Sequence, residues 1–241
     1  MTETYRLLPC ADRAVTVEFG NTISEENSAK VAAFTARMNQ FSLAGIEEII
    51  PTYRSVTICF DPEVLSFSEL KKTIQKAAKR QARRKQEKKR IFILPVAYGS
   101  EFGPDLERVA SCAGISPIEV VRRHATRIYR IDMIGFLPGF PYLSEMDPTL
   151  ETPRLASPRT VIPTGSVGIG GKQTGIYPME SPGGWNLIGR TPLLPYDKNR
   201  TPPVPYQTGD YIRFLPILRA EYERLEKAVA AGDNIIPWEE G

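Results

Sequence analysis

One histidine, His124, and three scattered cysteines, Cys10, Cys59 and Cys112, are all that this 241-residue chain offers as soft or imidazole metal ligands. Zinc sites draw on clustered Cys and His, so no metal is expected. An odd number of distant cysteines makes no disulfide framework and suits a reducing cytoplasm, where the protein is expected to reside. No run of about 18 apolar residues occurs, which excludes a helical membrane span. The opening stretch MTETYRLLPCADRA has no basic start followed by an apolar core, so it does not read as a secretory signal. There is no phosphate-loop motif, no nucleophile–base signature and no internal repeat.

What is present is ordinary for a globular protein: 41% apolar and 24% charged residues. That is enough chain for one large or two modest domains. The net charge of +3 conceals an asymmetry. KRQARRKQEKKR at 79–90 carries eight basic residues and one Glu, a local +7 that leaves the rest of the chain at −4. Such a run suits either an anionic partner or a solvated helix end and linker. No aromatics interleave with it as a single-strand platform would need, so the helix-end reading is preferred and no nucleic acid is expected.

The first ninety residues read as β-α-β-β-α-β. AVTVEF (14–19) alternates. TISE (22–25) fits a capping box before Val31, Phe34, Met38 and Phe41 at helical spacing. IEEIIP (46–51) and SVTICF (55–60) follow as strands. SFSE (66–69) is a second capping box, before a helix marked by Leu70, Ile74, Ala77 and Ala78. IFILPV (91–96) reads as the closing buried strand. That order is the ferredoxin-like βαββαβ pattern of an α+β domain over 1–90. Beyond it, 98–114 reads as a helix with Pro104 at its start and Gly114 past its end. A second helix, 116–125, opens on Ser116, Pro117 and Glu119. Short strands in 127–134, SVGIGG, QTGIYP, WNLIGR and DYIRFLP follow, then a helix marked by Leu218, Tyr222, Leu225 and Val229. The segment 91–241 thus reads as a mostly-β barrel or sandwich with a C-terminal helix.

From Gly135 to Pro192 lie 10 of the chain's 18 Gly and 9 of its 21 Pro. No helix can run through such a stretch. Its polar residues include Arg154, Arg159, Ser166, Lys172, Gln173, Tyr177, Ser181, Asn186 and Arg190. Glycines such as Gly165, Gly170, Gly171, Gly183 and Gly184 let backbone N–H groups approach a ligand, and arginines offer planar forks for carboxylate or phosphate. Two readings stand: an anion-binding cleft, or glycines that turn barrel corners beside solvated arginines. Phe136, Phe140, Tyr142, Tyr177 and Trp185 either line a pocket or fill a core. Phe136 and Phe140, set between Gly and Pro, lean toward a pocket wall. His124 reads as a helix-end or core residue, or as a general acid–base.

HATRIYRIDMIGFLPGFPYL (124–143), PRLASPRTVIPTGSVGIGGKQTGIYP (153–178) and SPGGWNLIGRTP (181–192) resemble the allophanate hydrolase subunit 1 family. The resemblance extends upstream through PVAYGSEFGPDLERVA (95–110), EIIPTYRSVTICFDP (48–62) and DRAVTVEFG (12–20). Thr164 and Gly170 stand where the family pattern would have Ala. The resemblance implies a cyclophilin-like β-barrel after the N-terminal domain. It also implies a non-autonomous component, inactive alone, that acts with a homologous C subunit and with an A subunit. The activity implied is ATP-dependent opening of the lactam of 5-oxoproline to give glutamate. ATP would bind a partner or a shared interface. The family also holds a sporulation histidine-kinase inhibitor, which leaves a regulatory binding protein as the alternative.

On that footing the expected catalytic residues are His124, moving a proton, and Ser166. Arg154 or Arg190 would clamp the substrate carboxylate. Backbone N–H groups around Gly165–Ser166 or Gly183–Gly184 would stabilise charge on the lactam oxygen. Phe136, Phe140, Gln173, Tyr177 and Trp185 would complete the binding surface.

Overall fold

The computed structural model describes residues 5–22, 24–79 and 89–241. Most of the basic tract at 79–90 lies outside them. The chain divides into two compact units, 1–87 and 88–241, each with its own apolar cluster.

In the first unit, β1 (Arg6–Cys10), β2 (Ala14–Glu18), β3 (Ile46–Pro51) and β4 (Ser55–Phe60) form one antiparallel sheet in the order β1-β2-β4-β3. Helices α1 (Glu25–Asn39) and α2 (Phe67–Lys79) supply Val31, Phe34, Met38, Leu70 and Ile74 to its core, against Val15, Val17, Val56 and Ile58. The capping box at Ser66 forms: its hydroxyl accepts from the Glu69 N–H at 3.3 Å and its own N–H donates to Glu69 Oε2 at 3.2 Å, which satisfies two backbone donors of the first turn. The cap of α1 falls at Ser24, whose Oγ accepts from the Asn27 N–H, and not at Thr22.

The expected βαββαβ order is corrected here to ββαββα. The place beside β2 that a closing strand would take belongs to β1, through a tight hairpin from Cys10 to Ala14. The strand expected there, IFILPV, is part of β5 (Arg90–Tyr98) in the second unit. Its near-continuous burial marks it as a strand covered on both faces.

The second unit is a closed seven-stranded barrel. Its strands are β5, β6 (Ile128–Ile134), β7 (Pro141–Leu143), β9 (Ser166–Gly170), β10 (Gln173–Ile176), β12 (Asn186–Arg190) and β13 (Tyr211–Pro216). Around the ring the order is β12-β9-β10-β7-β6-β13-β5, and pairing of Gly189 and Arg190 with Tyr98 and Ala97 closes it. A two-stranded ribbon of β8 (Arg159–Ile162) and β11 (Ser181–Gly183) stands apart from the ring, and β14 (Trp238–Glu240) pairs with the start of β5. Helices α3 (Leu106–Ala113), α4 (Pro117–Ala125) and α5 (Arg219–Ala230) complete the unit. Ser116 caps α4 ahead of Pro117, the usual order at a helix start. Gly114 ends α3 in the left-handed conformation at φ 65°, where a glycine carries no Cβ penalty.

Candidate functional site

His124 and Ser166 are both fully enclosed. The His124 imidazole meets Tyr98 on β5, Tyr129 on β6, Thr174 on β10 and Phe214 on β13. Contact with four of the seven strands places the ring inside the barrel. The Thr174 hydroxyl donates to the Gly168 carbonyl at 3.0 Å, so at 2.9 Å it accepts from His124 Nε2–H, because a hydroxyl carries one proton only. Nδ1 then accepts from the Tyr98 hydroxyl at 2.8 Å. With no carboxylate beside it, burial alone pushes the imidazole down to about 3, since an apolar interior disfavours the charged form. The same burial raises the Tyr98 and Tyr129 phenols. This is a neutral histidine bolting α4 to the barrel. The Ser166 hydroxyl sits in the wall without a hydrogen-bond partner.

A separate apolar cluster carries the expected aromatics: Phe140, Ile162, Tyr177, Trp185 and Leu187, with Leu137 and Tyr142 packed against it. Ring centroids of Phe140 lie 4.9 Å from Tyr142, 5.2 Å from Tyr177 and 5.5 Å from Trp185. These edge-on and tilted contacts make a continuous wall. Phe136, 60% exposed, leans edge-on over Phe140 and Tyr177 from the β6–β7 loop. Its φ of 67° is left-handed, a conformation that a bulky side chain rarely adopts.

Glycines are what allow the wall to lie flat on the strands. A Cβ on Gly170 would stand 2.5 Å from Trp185 Nε1, and one on Gly183 would stand 2.5 Å from the Tyr177 hydroxyl. The absence of a side chain at 170 therefore lets the indole settle closer to β9 than a methyl group would permit. Arg154 lies over that indole, its guanidinium carbon 5.8 Å from the ring centroid, within reach of a cation–π attraction. Burial raises the Tyr177 phenol, against the opposing effect of the Trp185 backbone N–H and the Arg154 and Arg159 charges.

The two arginines of the expected clamp stand on different aromatic groups. Arg190 lies over Phe102, 6.0 Å from its centroid, and reaches the Glu101 carbonyl at 3.4 Å. Phe102 in turn packs on Tyr222 of α5. Arg159, on β8, is the cation that shares Tyr177 with Arg154. Its Nη2 donates to Asp105 Oδ1 at 2.8 Å, while Asp105 Oδ2 accepts from the Leu187 N–H at 2.7 Å. Residue type alone makes Arg159 a possible anion ligand; its partner Asp105, 54 residues away, carries no local signal.

Of the expected backbone donors, the Gly165 N–H bonds to the Tyr177 carbonyl at 2.7 Å and the Ser166 N–H to the Pro163 carbonyl at 3.2 Å. Both are used by the fold. Gly183 and Gly184 lie within the aromatic group, where the Gly184 carbonyl accepts from the Leu155 N–H at 2.7 Å. Gln173 sits half-buried at the start of β10.

A cavity of about 670 Å³ lies elsewhere on the unit, between Phe92, Arg200, Asn234, Ile236 and Trp238. It does not suit a triphosphate. Arg90 is held by Asp210, Arg200 donates to the carbonyls of Leu194, Asn234, Pro195 and Pro203, and Asp197 adds negative charge. Among the described residues, no group of three His, Cys, Asp or Glu is placed to hold a metal ion. No helix among them is long and apolar enough to cross a membrane.

The family described as "Carboxyltransferase domain, subdomain C and D" matches residues 5–206, and the chain belongs to it. The chain is 38% identical to the B subunit of 5-oxoprolinase from Bacillus subtilis, over 92% of this chain and 97% of that one. It is also 38% identical to the B subunit of 5-oxoprolinase from Haemophilus influenzae, over 87% and 96%. A solved structure of TTHA0988 superposes with a TM-score of 0.77 at 35% identity, over 86% of this chain and 40% of that longer one.

Proposed function

We propose that the chain is the B subunit of an ATP-dependent 5-oxoprolinase, opening the lactam of 5-oxoproline to glutamate together with the A and C subunits. The observation that carries this is the 38% identity to curated proteins of that name over nearly their whole length. The barrel, cyclophilin-like by its resemblance, serves as a rigid frame. The lactam lies against Trp185 and Phe140 under Phe136, beside Tyr177 and Gln173. Arg154 receives the carboxylate from above the indole. The N–H groups of Gly183–Gly184 face charge growing on the lactam oxygen as water adds to its carbon and the ring C–N bond breaks. His124, Ser166 and Gly165 support the strands. Arg190 belongs to the Phe102–Tyr222 surface.

ATP is assigned to a partner or a shared interface, since the cavity beside Arg200 and Trp238 has its cations engaged. The chain alone is then inactive, and it works in the cytoplasm. No feature of the described residues favours the kinase-inhibitor alternative. The test is ATP-dependent glutamate release by the chain co-purified with its partner subunits, omitting each in turn. Release that requires this chain supports the reading. An assembled complex that leaves 5-oxoproline intact overturns it.

A further inference from the structure

The turn from Arg154 to Arg159 curls around the Gly183–Gly184 pair. Leu155 donates its N–H to the Gly184 carbonyl, and Pro158 lies 3.7 Å from where a Gly184 Cβ would stand. One end of the turn lays Arg154 on Trp185. The other sets Arg159 opposite Gly183 in the β8–β11 ribbon, and Gly183 is the residue against the Tyr177 hydroxyl. Both guanidinia therefore border the same aromatic wall. Asp105 engages only the Nη2 edge of Arg159, at 2.8 Å. Nη1 is buried and has no hydrogen-bond partner, and neither does the Ser181 hydroxyl on the same ribbon. A buried guanidinium N–H left unmatched is costly, and an incoming anion oxygen would satisfy it.

We infer that Arg159 is the second cation of the substrate site. Held by Asp105, it receives the carboxylate of an acidic lactam jointly with Arg154, and so selects acidic lactams over neutral ones. The identity of the lactam rests on the function proposed above. The pairing of a carboxylate with Arg159 does not.

The test uses the full chain carrying Trp238→Phe, so that Trp185 is this chain's sole indole, both alone and with its co-purified subunits, whose own emission is subtracted using a preparation carrying Trp185→Phe as well. Emission is titrated with 5-oxoproline, with 2-pyrrolidone (the same ring without the carboxylate) and with benzoate as an unrelated aromatic carboxylate. The expected result is at least tenfold tighter binding of 5-oxoproline than of 2-pyrrolidone. In Arg159→Gln/Asp105→Asn, which removes both charges together and leaves Arg154 in place, that preference falls severalfold while 2-pyrrolidone binding holds. Arg159→Lys restores part of it. Circular dichroism and the melting temperature confirm that each variant is folded. Preference undiminished in the folded double variant overturns the inference, as does the absence of Arg159-dependent carboxylate binding in both preparations. Arg159-dependent binding of benzoate without binding of 5-oxoproline keeps the role of Arg159 and overturns the substrate reading.

Discussion

His124 shows how one enclosed side chain links sequence to pH response. The native barrel holds this imidazole down to about 3, while the unfolded chain binds a proton there near pH 6.5. Below pH 6.5 protonation therefore draws the chain toward the unfolded state, and the loss of stability is about 1.4 kcal/mol for each further pH unit. Urea unfolding at pH 7 and at pH 5 should show about 2 kcal/mol of extra destabilisation that a His124→Asn variant lacks. An unchanged pH profile in that variant would place the titrating group elsewhere. Phe136 works in the opposite sense. Its ring shields the wall from an exposed, left-handed position, and that backbone stores strain of about 1–3 kcal/mol. Phe136→Gly should leave the melting temperature within a few degrees of the parent and raise the KM for 5-oxoproline severalfold in the assembled complex. A marked fall in stability with unchanged kinetics would make the ring a packing element only.

Among elements, β9 and the β8–β11 ribbon decide the shape of the site. Trp185 lies on Gly170 because nothing projects there. Gly170→Ala should push the indole off β9, costing about 1–3 kcal/mol as overpacking does. In the Trp238→Phe background it should also red-shift the Trp185 emission as the ring meets water. An unshifted spectrum would mean that the strand moves instead. The capping box of α2 and the cap and glycine stop of α4 and α3 were legible locally because each device spans only a few residues. The neighbour of β5 was not. IFILPV reads as a buried strand, yet its pairing with β13, β12 and β14 is a choice among distant segments.

At the scale of the molecule, the chain forms two units with separate apolar clusters, and such units should fold separately. A fragment of residues 88–241 should fold cooperatively. A fragment starting at Gly99 should not, because it lacks β5 and leaves β12 and β13 without the strand between them. Calorimetry of both fragments checks this, and a cooperative transition in the shorter one would show that the ring can close without β5. Family membership was readable from long Gly/Pro motifs, since those residues are fixed by backbone geometry that few alternatives satisfy.

The sequence alone determined that the helices exist, the caps of α2 and α4, the glycine stop of α3, the absence of an α-helix from 135–192 and the aromatic residues that would gather there. Tertiary structure decided which sheet receives β5, that His124 lies inside the barrel, and that Arg159, not Arg190, borders the wall with Arg154. The reason is range. Capping and alternation act across a few residues and leave a local pattern. The bonds from His124 to Thr174 and from Arg159 to Asp105 span 50 and 54 residues, and such pairs exist only after the ring has closed.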